Sequence, residues 1–272
     1  TSGFDSVPLP VEVLVSALGV SYGEWADNCH EKRPLWGLLY EEHYESAETY
    51  AYRTRNHIVT EVLLRTLNHG TAGHTGEFRC MKRLLRACTS ASPQYRSFIM
   101  DILVKRRHLI EKRFNYQQAM ELYEAALSAY PRALGVVEHH RCLVKRNLGG
   151  EAQDVYEELR RLIAKSYDRS IPDQDQPDNL HTSAAAALNQ MIRENTIDAA
   201  EGGEAVFEHI SAAIAIDQFS LHSYHVHAQT LIAIASAVRE TNRIAFWTNV
   251  ERAARIVSRA LLLLEHTSRE DQ

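Results

Sequence analysis

One spacing recurs along this chain and constrains its fold more than any other feature. Ala119, Tyr123 and Ala126 stand four and three residues apart, and Pro131 follows. The same offsets return at Ala152, Tyr156 and Leu159, at Ala205, His209, Ala212 and Asp217, and at Ala253, Val257, Ala260 and Glu265. Steps of four and three keep side chains on one face of an α-helix. Small residues on that face let a neighbouring helix approach, the bulkier residue fills the gap, and proline ends the helix. A chain that repeats this pattern stacks helices in pairs, because one pair cannot cover its own apolar face. The first two copies lie 33 positions apart, and helix-pair arrays use a period of about 34. The later copies are unevenly placed, and the polar segment DRSIPDQDQPDNLH at 168–181 is expected to be a loop that interrupts the array.

Ahead of the repeats the character changes. Pro8 and Pro10 precede Val11, Leu14, Val15 and Leu18, an apolar face at helical spacing that stops at Gly19. Ser21 is placed to cap a short helix bearing Tyr22 and Trp25. Pro34 leads into LWGLLYEEH, whose Leu35, Trp36, Leu38, Leu39 and Tyr40 suit a buried strand, and YAYRT, with Tyr50 and Tyr52, suits its hairpin partner. Asn56 then caps HIVTEVLLRTL. Helix, helix, hairpin, helix over residues 1–70 reads as a small winged-helix-like unit. The glycine-rich HGTAGHTG at 69–76 is the expected boundary, and 77–272 the expected helical repeat domain. Within it, single helices are expected over 78–88, 95–112 and 116–130, with another starting near 184. The fold class is therefore mainly all-α, an irregular α-α superhelix behind a small unit with a short β-hairpin.

Composition sets outer limits. The 272 residues carry a net charge of -5, 45% hydrophobic and 24% charged side chains, ordinary for a folded chain with ample core. The four cysteines, Cys29, Cys80, Cys88 and Cys142, have no CxxC spacing, and read as reduced, mostly buried thiols. The longest apolar run, near 231–238, is far too short for a bilayer. No basic-then-apolar leader opens the chain, so the expectation is a cytoplasmic protein with no membrane partner. The chain begins at Thr1 rather than Met, which suggests a piece of a longer polypeptide.

The repeat half resembles a tetratricopeptide array. The whole chain, through VPLPVEVL, the YRTRNHIVTEVL junction and EHHRCLVKRNLG, is similar to the winged-helix and tetratricopeptide C-terminal region of bacterial STAND-type NTPases, some of which act in antiphage defence. That resemblance implies a ligand-sensing role for the repeats, with a phage protein as one class of ligand. It also implies that the winged unit restrains the nucleotide-binding core of the parent chain. In related switches a histidine of the winged helix touches a nucleotide phosphate. Here His57, flanked by Arg53 and Arg55, occupies the matching helix start, where a dipole and guanidinium groups favour an anion. No cofactor is expected in this chain itself, with ATP or ADP expected only in the parent.

Catalytic signatures do not support an enzyme: no GxxxxGK[ST], no GxGxxG after a strand, no GxSxG elbow and no kinase set occurs. No metal site is expected. His222, His225 and His227 share one predicted helix, but His227 points away and nothing completes a tetrahedral set. Asp173, Asp175 and Asp178 lack the glycine and acid positions of a calcium loop. The segment 79–113 holds ten basic residues against Asp101 and Glu111. It could meet nucleic acid, an acidic protein surface or the chain's own acidic 41–48. Sparse aromatics and an acidic candidate recognition helix make nucleic acid the weaker reading. The leading reading is a non-catalytic, protein- or peptide-binding scaffold. The alternatives are a winged-helix nucleic-acid-binding regulator and a homo-oligomerisation module. First-helix positions Arg106, His140, Lys145, His225 and Gln229 are the expected groove residues.

Overall fold

The computed structural model describes residues 7–27, 39–44, 49–54, 57–69, 73–168 and 173–270. The described residues are mainly helical, with one three-stranded antiparallel sheet. The chain divides into two compact units, 1–148 and 149–272.

The first unit opens with β1 (Leu9–Pro10), α1 (Val11–Leu18) and α2 (Tyr22–Trp25), followed by β2 (Leu39–Tyr44), β3 (Thr49–Thr54) and α3 (His57–Asn68). Gly19 closes α1 at φ 72, a left-handed turn that costs glycine nothing. Ser21 accepts from the Glu24 N–H while the Glu24 carboxylate accepts from the Ser21 N–H, so α2 begins in a capping box. The expected hairpin is β2–β3, paired from Leu39↔Thr54 to Tyr44↔Thr49, and β1 adds a third strand through Leu9↔Tyr52. Leu35, Trp36, Leu38 and Asn56 lie outside the described residues.

Five further helices complete this unit: α4 (Thr75–Arg86), α5 (Pro93–Met100), α6 (Arg107–Arg113), α7 (Tyr116–Ala129) and α8 (Gly135–Asn147). The single helix expected over 95–112 is in fact broken. After α5 the backbone takes a π-helical turn at Asp101–Lys105, then leaves the helical region at Arg106 (φ -113, ψ 24). Neither proline nor glycine marks that break. Ala119, Tyr123 and Ala126 are fully buried, and the Tyr123 hydroxyl donates to the Leu103 carbonyl at 2.6 Å. The signature is thus a packing device, and its phenol supplies a hydrogen-bond donor to a carbonyl of the irregular π turn.

The glycine-rich stretch before α4 does not divide the chain. Val13 of α1 sits in the same core as Leu85, Ile99, Leu103 and Leu122. Ser16 donates to the Ala87 carbonyl at 3.0 Å, and Arg83 Nε donates to the Ala17 carbonyl at 2.7 Å. The compact-unit boundary falls at 148/149 instead.

The second unit is built from α9 (Ala152–Ser166), α10 (Pro177–Arg193), α11 (Ala199–Ile216), α12 (Leu221–Val238) and α13 (Arg243–Glu270). Successive helices pack on one another, and α10 also packs on α12. Pro177 stands in the first turn of α10 rather than in a loop, where its missing N–H and fixed φ suit a helix start. The last five residues of the expected 168–181 loop are therefore helix, which begins well before position 184. Adjacent glycines let α11 approach both neighbours. A Cβ on Gly202 would lie 2.5 Å from Ile197 Cδ1, and one on Gly203 would lie 2.6 Å from Ile234 Cδ1.

Candidate functional site

The second unit contains an open groove of about 830 Å³. Its floor is α10, with Asn189, Ile192 and Arg193, and its walls are α12 and α13. On α12 the lining residues His225, Gln229, Ile232 and Ser236 recur at steps of four, three and four, so one helical face is turned to the groove. On α13 the lining residues Val250, Ala254 and Val257 do the same. The row of which they are part runs on into exposed apolar residues, Trp247 (58%), Leu261 (55%) and Leu264 (45%). A parallel row holds α13 in place, since Ala253 and Ile256 pack with Ala228 and Leu231 of α12.

Two features give the groove chemical character. Asn189 is 4% exposed, and its Oδ1 is buried without a hydrogen-bond partner. An unsatisfied buried amide oxygen costs about 1–3 kcal/mol, a cost that a donor reaching this end of the groove would relieve. Among the described residues, the ionisable groups lining the groove are Arg193 and His225, with no carboxylate.

Two of the five residues expected in a binding groove, His225 and Gln229, line this one. Arg106, His140 and Lys145 belong to the first unit; Arg106 marks the break before α6, and the other two are part-buried on α8. Asn189 and the outer row of α13 escaped the sequence reading. The signals were the amide pair Asn189–Gln190 in the otherwise apolar run AAAALNQMI and a second three-four spacing offset by one residue from the recurring alanines. The fourth repeat copy accordingly departs from the packing reading, because Val257 is 48% exposed.

The anion site expected beside the hairpin is weakly furnished. Arg53 is bound to Glu42 at 2.6 Å across β2 and β3, Arg55 lies outside the described residues, and so does the side chain of His57. No nucleotide role is assigned to these residues. The basic segment 79–113 is partly neutralised within its own unit by pairs among the described residues. Lys82 pairs with Glu121, Lys105 with Asp101 at 2.7 Å, Arg107 with Glu111 at 3.1 Å, and Arg113 with buried Glu77 at 2.6 Å.

A chain of hydrogen bonds crosses the second unit away from the groove. The Tyr156 hydroxyl lies 3.3 Å from His209 Nε2, His209 Nδ1 lies 2.9 Å from His181 Nδ1, and His181 Nε2 lies 3.1 Å from the Tyr167 hydroxyl. With both imidazoles neutral every contact is satisfied: Tyr156 donates to His209, His209 to His181, and His181 to Tyr167. With both charged, two N–H groups would face each other across the central contact. Burial holds the His209 imidazole down to about 4, aided by His181 and Arg160. Burial also lowers His181, against the opposing pull of Asp178. Among the described residues, no group of three or more His, Cys, Asp or Glu is placed to hold a metal ion. Nor is any described helix long and apolar enough to cross a membrane. Of the cysteines, Cys88 and Cys142 are buried, and burial pushes the Cys88 thiol up to about 12; Cys80 is exposed, and Cys29 is outside the described residues.

Comparison with known proteins finds no relative: no family model, no curated protein and no solved structure matches this chain.

Proposed function

We propose that this chain is a non-catalytic, protein-binding helical scaffold whose groove between α10, α12 and α13 receives a segment of a partner. The observation that carries the reading is the groove itself, with an unpartnered buried amide at its floor and an exposed apolar row along one wall. Contiguous exposed apolar surface of this kind marks interaction sites more often than free surface. The finer reading, a winged-helix and tetratricopeptide sensor region of a STAND-type NTPase in bacterial antiphage defence, rests on the sequence pattern. In it, partner binding by the repeats releases restraint on a nucleotide-binding core. That reading requires a phosphate-loop NTPase in the same polypeptide. Nucleic-acid binding by the basic helices is the weaker alternative, because at least four of their ten cations already have acidic partners.

The test is selection of displayed peptides on the chain, with Val257→Glu as the counter-target. Val257 is exposed, so the substitution places a charge in the groove at little cost to folding. Enriched peptides that bind the native chain and fail on Val257→Glu support the proposal. Enrichment that ignores the substitution, or no enrichment, refutes it.

A further inference from the structure

The walls of the groove say what shape of segment they accept. Along α13 the outer row is Trp247, Val250, Ala254, Val257, Leu261 and Leu264, at steps of three, four, three, four and three. That is heptad spacing, the register in which one helix offers holes to the knobs of another. On α12, His225, Gln229, Ile232 and Ser236 hold the same alternation on the opposite wall. An extended segment, with a two-residue period, would meet these rows out of step. Alanines at 228, 233, 253 and 254 on the two walls leave room for close backbone approach.

Asn189 adds a requirement. Its buried, unpartnered Oδ1 lies among apolar neighbours, and a single polar group in an apolar helix interface fixes register by demanding one partner. The rim adds another, since Arg193 and His225 line the groove without any carboxylate. Opposite charge on the incoming segment satisfies that rim.

From these features we infer that the groove takes an amphipathic α-helix of a partner protein, acidic along its flanks, with one hydrogen-bond donor on its apolar face directed at Asn189. The inference deepens the scaffold reading and rests on it. A second copy of this chain fits less well. Beside its α13 row stands Glu251, which is already paired with Arg255 at 3.7 Å, so a second copy brings no free acid to Arg193.

The experiment measures fluorescence anisotropy of a synthetic three-heptad helix on the full chain. The probe has a leucine seam, glutamate flanks and one glutamine at a central seam position. Controls replace the glutamine by leucine, the glutamates by lysine, or a central residue by proline. The expected result is at least ten-fold weaker binding for the lysine-flanked and proline-broken helices. The glutamine helix should also bind about five-fold tighter than its leucine control, a preference abolished or reversed in Asn189→Leu. The preference on the native chain stands as a measurement even where that variant folds poorly. Equal binding of the proline-broken peptide overturns the helix inference, and leaves the scaffold reading intact if Val257→Glu still abolishes binding. Equal binding of the lysine-flanked helix, or no glutamine preference, overturns it as well. So does a concentration-dependent dimer in light scattering that Val257→Glu dissolves, which would assign the groove to a second copy. If no helix binds, both this inference and any helical partner are excluded.

Discussion

Acid should loosen the second unit through the His181–His209 contact, and the size of the effect can be worked from the structure. The perturbation is a drop from about pH 7.5 to about pH 5. In the folded chain His209 gains a proton only near 4, against an ordinary value of 6.5. The unfolded chain therefore takes up a proton first, at pH values where the folded ring stays neutral. Stability from this group is full above about 6.5 and declines as pH falls toward 4. For a fully buried ring the linkage relation gives about 2 kcal/mol lost at pH 5. His209 is only part-buried, so solvent screening reduces the expected loss to about 1 kcal/mol. His181 shifts in the same direction, with Asp178 opposing. The charged groups acting on the pair are Arg160 from α9, which lowers His209, and Asp178 from α10, which raises His181. The assay is urea unfolding at both pH values, with hydrogen exchange of the 149–272 amides as a local readout. Native chain and His209→Gln are compared so that other titrating groups cancel. The native chain should lose about 1 kcal/mol more than the variant. Parallel pH dependence in the two proteins, or a native chain that is steadier at pH 5, would refute the reasoning.

Three other outcomes follow from the packing. Tyr123→Phe removes the hydroxyl that donates to Leu103 and should cost about 1–2 kcal/mol in urea unfolding, leaving a buried carbonyl unsatisfied. Glu77→Ala strips the carboxylate that holds Arg113 at 2.6 Å and His74 at 3.0 Å. Because Glu77 is buried, the loss should reach about 2–3 kcal/mol, read as a lowered midpoint of thermal unfolding. Gly202→Val would force atoms into the space held by Ile197 and Ile192, and should cost about 1–3 kcal/mol by overpacking, with hydrogen exchange in α11 rising most.

The helices were legible where packing is local. Ala119, Tyr123 and Ala126 announce their burial because a small-aromatic-small face has no other stable use, and all three are fully buried. The capping pairs Ser21–Glu24 and Asn115–Gln118 follow the same local chemistry. The break at Arg106 was not legible, since DILVKRRHLI has helical periodicity and no residue that forbids it. Pro177 misled for the opposite reason: proline reads as a breaker, yet in a first turn it starts a helix. The groove lay beyond sequence reasoning because it needs α10, α12 and α13 together. His225 and Gln229 were found from helix position alone, whereas Asn189 matters only for its missing partner. The imidazole pair was hidden differently, with His209 in the aromatic slot of a repeat copy and His181 in the expected loop.

Gly202 and Gly203 bring α11 into close contact on both sides. They make that helix a fixed spacer, wedged between Ile192 and Ile197 on one side and Ile234 on the other. The last helix is held quite differently, because α13 packs chiefly on α12 and joins it through residues 239–242. The width of the groove then reduces to a single variable, the angle at which α13 leans from α12. Partners of different girth would be accommodated by tilting one wall, while α10, α11 and α12 keep their mutual register.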